Sequence, residues 1–184
     1  MTPDINAKIG EFLAQDGGML SIRSPMGTGK STIIARIIEE CHEQDMRVLI
    51  VTNRISVAHD FGKKYGIKVY NLDHYELGDS LICQYDSLWR YNIKFFDIVI
   101  IDEFISVMMH ARSNLNNGSI NIAKFVGAFN KKLVIADAFL TGYENFLLSN
   151  KTRNVHMIDN VYRDPTDLYL YDDYNYFVNS LVYH

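Results

Sequence analysis

The 184 residues carry 18 Lys and Arg against 22 Asp and Glu, a formal net charge of −4, and are 48% hydrophobic. A chain of this size fits one domain that buries roughly 70% of its unfolded surface. The acidic balance excludes a strongly basic module that binds nucleic acid by neutralising phosphates over a broad face. There is no run of about 18 apolar residues and no basic-then-apolar leader at the N-terminus, so the expectation is a soluble, intracellular protein with no membrane partner. Cys41 and Cys83 lie in apolar patterns that suit buried thiols in a reducing compartment.

In chain order, the periodicity predicts a short strand over 19–23 and an amphipathic helix over 31–43, with Ile33, Ile34, Ile37, Ile38 and Cys41 on one stripe. Between them runs Ser24-Pro25-Met26-Gly27-Thr28-Gly29-Lys30-Ser31. Glycines at 27 and 29 allow backbone N–H groups to close around phosphate oxygens with no Cβ in the way. Met26, Gly27, Thr28, Gly29, Lys30 and Ser31 would then cradle the phosphates of ATP. Lys30 would reach the β- and γ-phosphates, Ser31 would offer its hydroxyl to Mg²⁺, and the helix N-terminus would face the anion. Ser24 stands where this motif has its leading glycine. The same eight residues also fit a Gly-rich turn between a strand and a helix.

A buried strand over 48–51 leads through Thr52-Asn53-Arg54 into a helix ending near residue 64. Short strands follow over 68–71 and 81–83, and residues 84–89 enter a helix. The four β-branched residues of 98–101 read as a strand covered on both faces, and it ends at Asp102-Glu103. Asp102 would hold Mg²⁺, while Glu103 would orient or deprotonate an attacking water, a catalytic role shared with Lys30. Acids are also favoured at helix N-termini, so the pair alone equally marks a helix start. Lys30 and Asp102 are 72 residues apart, room for two or three strand–helix units of roughly 30 residues, which would set them on adjacent strands of one sheet. A helix over 104–111, a polar break over 113–118, a helix over 122–130 and strands over 133–136 and 155–158 complete the pattern. Such alternation predicts an α/β fold, a mostly parallel sheet with helices on both faces, forming one lobe over 1–158. Residues 159–184 are a Tyr-rich tail with five aspartates and no sustained period.

Together these stretches resemble the first RecA-like motor lobe of a superfamily 2 helicase, a P-loop NTPase, and most closely the herpesvirus-type replication origin-binding helicases. The resemblance covers about residues 20–140 and rests on five runs: residues 24–31, Val51-Thr52-Asn53-Arg54-Ile55-Ser56, Cys83-Gln84-Tyr85-Asp86-Ser87-Leu88, Ile101-Asp102-Glu103-Phe104 and Ala136-Asp137-Ala138. The Ser-Pro-Met-Gly opening and the Cys-Gln-x-Asp-Ser-Leu run favour the origin-binding type. The fourth run departs from the common Asp-Glu-Ala-Asp and Asp-Glu-x-His forms, and the fifth from Ser-Ala-Thr. The resemblance implies the ATP-binding lobe of a DNA helicase or translocase in DNA replication, coupling hydrolysis to single-strand movement.

It further implies that Thr52, Asn53 and Arg54, with Asp86 and Ser87, contact a single nucleic-acid strand, DNA rather than RNA. Asp137 would link that face to the phosphates. Locally, the first three also fit a solvated strand-to-helix turn, Asp86 and Ser87 a helix cap, and Asp137 a capped strand end. Motors of this kind carry arginine fingers in a second lobe, and no Gln-x-x-Gly-Arg-x-x-Arg pattern occurs here. The expectation is a lobe that binds ATP, hydrolyses it slowly and holds single strands weakly, with the tail leading toward a missing second lobe. A phosphotransferase of the nucleotide-kinase kind and a non-catalytic nucleotide-binding adaptor are the alternatives.

Overall fold

Apart from Ser21, the interior positions of the central strands are apolar on both faces, which dictates a sheet buried between two layers. The computed structural model describes residues 3–111, 120–121, 123–124, 127, 131–141 and 154–160. In chain order these contain α1 (Pro3–Leu13), β1 (Gly18–Arg23), α2 (Lys30–Glu43), β2 (Val48–Thr52), α3 (Ile55–Tyr65), β3 (Lys68–Val69), β4 (Leu81–Gln84), β5 (Ile98–Asp102), α4 (Phe104–Ala111), β6 (Lys132–Asp137) and β7 (Val155–Asp159). The strands form one seven-stranded sheet in the order β3-β4-β2-β5-β6-β1-β7, with every pairing parallel.

Alternate strand residues leave for opposite faces. Leu20, Ile22, Ile50, Ile100 and Val134 pack with Ile33, Ile34, Ile37 and Ile38 of α2 and with Ile9 and Phe12 of α1. Met19, Leu49, Val99, Ile101 and Ile135 pack on the other side with Phe104 and Val107 of α4 and with Leu88 and Ile93. Cys41 and Cys83 are free and buried, and burial pushes both thiols up to about 12. No helix among the described residues is long and apolar enough to cross a membrane.

The sheet departs from the sequence expectations in four places. β6 lies between β5 and β1, so Lys30 and Asp102 follow strands one removed rather than adjacent; the spacing between two motifs says nothing about a later strand inserted between them. α1 was not expected, although Ile5, Ile9, Phe12 and Leu13 carry a helical period and the last three are buried. Residues Tyr85–Arg90 form a 3₁₀ helix rather than an α-helix. β3 has two residues instead of four, because the chain turns at once: the Leu72 and Asp73 N–H groups both donate to the Val69 carbonyl, at 3.0 Å. Of the helix over 122–130, residues 123, 124 and 127 are described and helical. The polar break over 113–118 and the tail from 161 onward lie outside the described residues.

One bidentate pair ties the lower ends of β2 and β5 together. The Arg47 guanidinium donates to Asp97 through Nε at 2.9 Å and Nη2 at 3.0 Å, and the Arg47 backbone N–H donates to the same carboxylate at 2.9 Å. These bonds hold the Asp97 carboxyl below its usual range. A carboxyl with a lowered native pKa stabilises the fold above its unfolded value, and that contribution disappears as pH falls through the native value. Both side chains are about a third exposed, so screening leaves the pair about 1 kcal/mol. Asp97→Asn should therefore lower stability by about 1 kcal/mol at pH 7, with the gap to the parent closing below about pH 3.9, the usual Asp value. Urea melts across pH 3 to 7 measure this.

Candidate functional site

In an all-parallel sheet the C-terminal ends of the strands share one rim, and ligands of open α/β sheets bind there. Ser24 follows β1 on that rim, Asn53 and Arg54 follow β2, Tyr85 follows β4, Glu103 follows β5, Ala138 follows β6 and Asn160 follows β7. A cavity of about 610 Å³ opens here between the loop of residues 24–31 and Glu103, Ala138 and Phe139. A larger hollow of about 760 Å³ is lined by Asn92, Lys94 and Lys131, which precede β5 and β6 and so belong to the opposite rim. Two of its three lysines are occupied: Lys124 Nζ donates to the Trp89 carbonyl at 2.6 Å and Lys131 Nζ to that of Lys94 at 3.3 Å.

Gly27 and Gly29 adopt φ of 78° and 93°, the left-handed region that a side chain disfavours. Among the described residues, a Cβ at Gly27 would meet nothing within 4 Å and one at Gly29 only Thr32 Oγ1 at 3.9 Å. Backbone conformation, not crowding, demands glycine, and the space above the loop is open to a ligand. Gly29 caps α2 through its backbone, with no side-chain cap and no acid in the first turn, so the first N–H groups of the helix face the cavity as an anion site. Met26 stands at the crest, 98% exposed.

Lys30, the first residue of α2, bonds to Glu103 Oε1 and sits 3.2 Å from Asp102 Oδ1. Burial pulls its amine down, but the two carboxylates outweigh burial and raise its pKa. Asp102 is 4% exposed; burial raises its carboxyl, and Lys30 opposes this only in part. Despite the ion pair, Asp102 Oδ1 accepts no well-directed hydrogen bond among the described residues. A buried carboxylate oxygen left in this way, with the exposed Ser31 hydroxyl on the first turn of α2, is the hard-oxygen donor set that suits Mg²⁺. Glu103 itself has φ of 55°, an uncommon conformation for a residue with a side chain.

Asp137 is 2% exposed and joins three strand ends. Its Oδ2 accepts the Ile105 N–H at 2.9 Å, its Oδ1 accepts the Phe139 N–H at 2.9 Å, and its carbonyl accepts the Ser24 N–H at 3.1 Å. It thus fixes the start of α4, the turn after β6 and the entry to the phosphate loop. Asn160 was not anticipated. Its side-chain nitrogen donates to the Thr28 carbonyl and, at 3.3 Å, to Ser24 Oγ. Only the parallel pairing of β7 beside β1 brings it there, and no local spacing announces it.

The remaining candidates gather at the ends of β2 and β4. Thr52 is buried, and its Oγ1 accepts the Arg54 N–H at 3.0 Å, so that hydroxyl shapes the turn. Asn53 is half-buried and Arg54 exposed. Gln84 Nε2 donates to the Asn53 carbonyl at 3.4 Å, and Tyr70 Oη donates to Gln84 Oε1 at 2.6 Å, locking the two strand ends together. Asp86 is half-buried and Ser87 buried; both lie inside the 3₁₀ helix rather than at its cap.

A parallel sheet with a glycine loop, a lysine and an Asp-Glu pair at its C-terminal rim defines a P-loop nucleotide-binding domain with a RecA-like fold. The family described as AAA domain matches residues 6–116, and the chain belongs to that family. Among curated proteins, one of Acanthamoeba polyphaga mimivirus with the provisional name replication origin-binding protein is 30% identical over 169 residues, covering 78% of this chain and 21% of its own length. The replication origin-binding protein of varicella-zoster virus (strain Dumas) is 29% identical over 107 residues, 52% of this chain and 13% of that protein. The chain thus spans about a fifth or less of these relatives. Among solved structures, a DEAD box protein of Methanococcus jannaschii matches at TM-score 0.60 and 15% identity over 86% of this chain and 49% of its own. The UvsW helicase of bacteriophage T4 matches at TM-score 0.55 and 13% identity, over 86% and 59%. The resemblance to first motor lobes of superfamily 2 helicases therefore holds for the fold, and the resemblance to origin-binding helicases for the sequence.

Because the Asp137 carboxylate is buried and receives two backbone N–H groups, Asp137→Asn turns an amide NH₂ against one of them. It should cost about 1–3 kcal/mol of stability, read from the shift of the urea midpoint at constant slope.

Proposed function

We propose that the chain is the ATP-binding first lobe of a DNA helicase or translocase acting in replication. One observation carries this reading: Lys30, Asp102 and Glu103 meet at the open mouth of a glycine loop, with the buried Asp102 Oδ1 held, among the described residues, only by the Lys30 ammonium, at 3.2 Å. That loop is competent to take the phosphates of ATP on its N–H groups, and Lys30 would leave Glu103 to reach the β- and γ-phosphates. Ser31 and Asp102 would hold Mg²⁺, which supplies charge neutralisation on the phosphate oxygens when bound. Released from Lys30, the Glu103 carboxylate would orient an attacking water and accept its proton. The Asp-Glu pair at a strand end suits water attack better than transfer to a held acceptor. Arginines in a second lobe are worth 10³–10⁵ in rate in such motors, so hydrolysis by this lobe alone is slow.

Asp137, bonded to both the Ser24 and Ile105 N–H groups, would pass movement between phosphate loop and strand face. Arg54, with Asn53 after the same strand and Asp86 after the neighbouring β4, would contact the sugar-phosphate backbone of one DNA strand. The relatives' names support the assignment to replication, and the soluble, intracellular location follows from the same reading.

Lys30→Ala should weaken Mg-ATP binding by about 10- to 100-fold, the value of a charge-assisted contact, in calorimetry on folded protein. Glu103→Gln should keep the affinity and slow single-turnover hydrolysis by about 10²-fold or more. Equal affinity in Lys30→Ala and parent would sink the reading.

Single-strand binding should be weak and independent of sequence. Log K should fall by about 0.7 per neutralised phosphate per decade of salt, and Arg54→Ala should reduce that slope by about one phosphate, measured by anisotropy of a labelled oligonucleotide from 20 to 200 mM salt. Tight, sequence-selective duplex binding would overturn the assignment.

A further inference from the structure

We propose that Asn160, Ser24 and Thr28 form a latch that sets the phosphate loop before nucleotide arrives, making Asn160 a positioning residue for nucleotide binding. The inference rests on the reading of the loop as a nucleotide site.

Counting protons fixes the direction of the latch. Thr28 Oγ1 donates its one hydrogen to the Pro25 carbonyl at 2.7 Å. The 2.7 Å contact between Ser24 Oγ and Thr28 Oγ1 must then run from Ser24 to Thr28, since a hydroxyl has a single proton to give. Ser24 Oγ is left as an acceptor, and Asn160 Nδ2 supplies the donor at 3.3 Å. The second hydrogen of the same amide goes to the Thr28 carbonyl. Reversing the amide would set its oxygen against that carbonyl, acceptor against acceptor, so the nitrogen is required there. The backbone joins in: the Asn160 N–H donates to the Arg23 carbonyl at 2.8 Å, and the Ser24 N–H to that of Asp137 at 3.1 Å.

Ser24 is therefore not a damaged copy of the motif's leading glycine. It is fully buried, and its hydroxyl is the middle member of the chain Asn160–Ser24–Thr28–Pro25. That chain spans the loop where Gly27 and Gly29 leave it free to collapse, and it anchors the loop to the residue where the chain leaves β7. Preorganisation of this kind improves affinity by removing ordering cost rather than by adding a ligand contact.

The test is calorimetry of the 184-residue chain with a Mg²⁺ complex of a non-hydrolysable ATP analogue. Asn160→Ala should raise Kd about threefold to tenfold with the binding stoichiometry unchanged. Asn160→Asp, which cannot donate, should lose at least as much. Ser24→Ala should also weaken binding, and the Ser24→Ala/Asn160→Ala double variant should lose no more than the worse single, because both break one network. A merely structural Asn160 would lower the melting temperature and the active fraction while leaving Kd in place, and that result overturns the latch. A parent that binds, a Lys30→Ala that does not, and an Asn160→Ala within twofold of the parent would overturn the latch and leave the nucleotide reading standing. A parent that fails to bind removes both. Should the Asn160 variants not fold, unchanged affinity in Ser24→Ala overturns the proposal by itself.

Discussion

Everything at the site follows from the strands running in one direction. With both faces of the sheet covered, only its two rims are left for chemistry, and each strand delivers its last residue to the same one. Three helices, α2, α3 and α4, begin on that rim directly after β1, β2 and β5, so their partly positive ends face it together. This resolves an apparent conflict in a chain of net charge −4. Attraction for a polyphosphate need not come from overall charge when oriented backbone amides and one lysine supply it locally.

The second constraint is the price of a carboxylate at the end of a buried strand. Asp102 is nearly out of water, and an ionised group there is unfavourable unless it is paired. Lys30 provides the pairing while also holding Glu103, so one ammonium serves two acids across the cavity. Asp137 works differently, as its buried carboxylate is matched by two backbone N–H groups rather than by a cation. The two buried acids of the rim thus divide into one that is free to change partners and one that is not.

Much of this was legible in the sequence, for reasons that can be named. Runs such as Val48–Thr52 and Ile98–Asp102 have no polar face, so they must be central and parallel, and strand–loop–helix order placed the glycine loop correctly. α1 was legible too, although it was not expected: Ile5, Ile9, Phe12 and Leu13 keep a helical period. The position of β6 between β5 and β1 was not readable, since strand order depends on packing among elements distant in sequence. Asn160 was invisible for the same reason: its partners Ser24 and Thr28 are 136 and 132 residues away. Of the two roles the sequence offered Thr52, a strand contact and a strand-to-helix turn, its buried hydroxyl serves the turn by accepting the Arg54 N–H.

Glu103 carries a consequence for how such a domain can evolve. Its backbone sits at φ of 55°, where asparagine or glycine is at ease and glutamate is not. Selection for thermal robustness alone would drift toward those residues and shorten or erase the carboxylate. On the proposed reading, the glutamate at this place sets a carboxylate at the cavity mouth at the expense of backbone ease, and Asn or Gly in its stead would keep the scaffold and relieve the backbone while removing the acid.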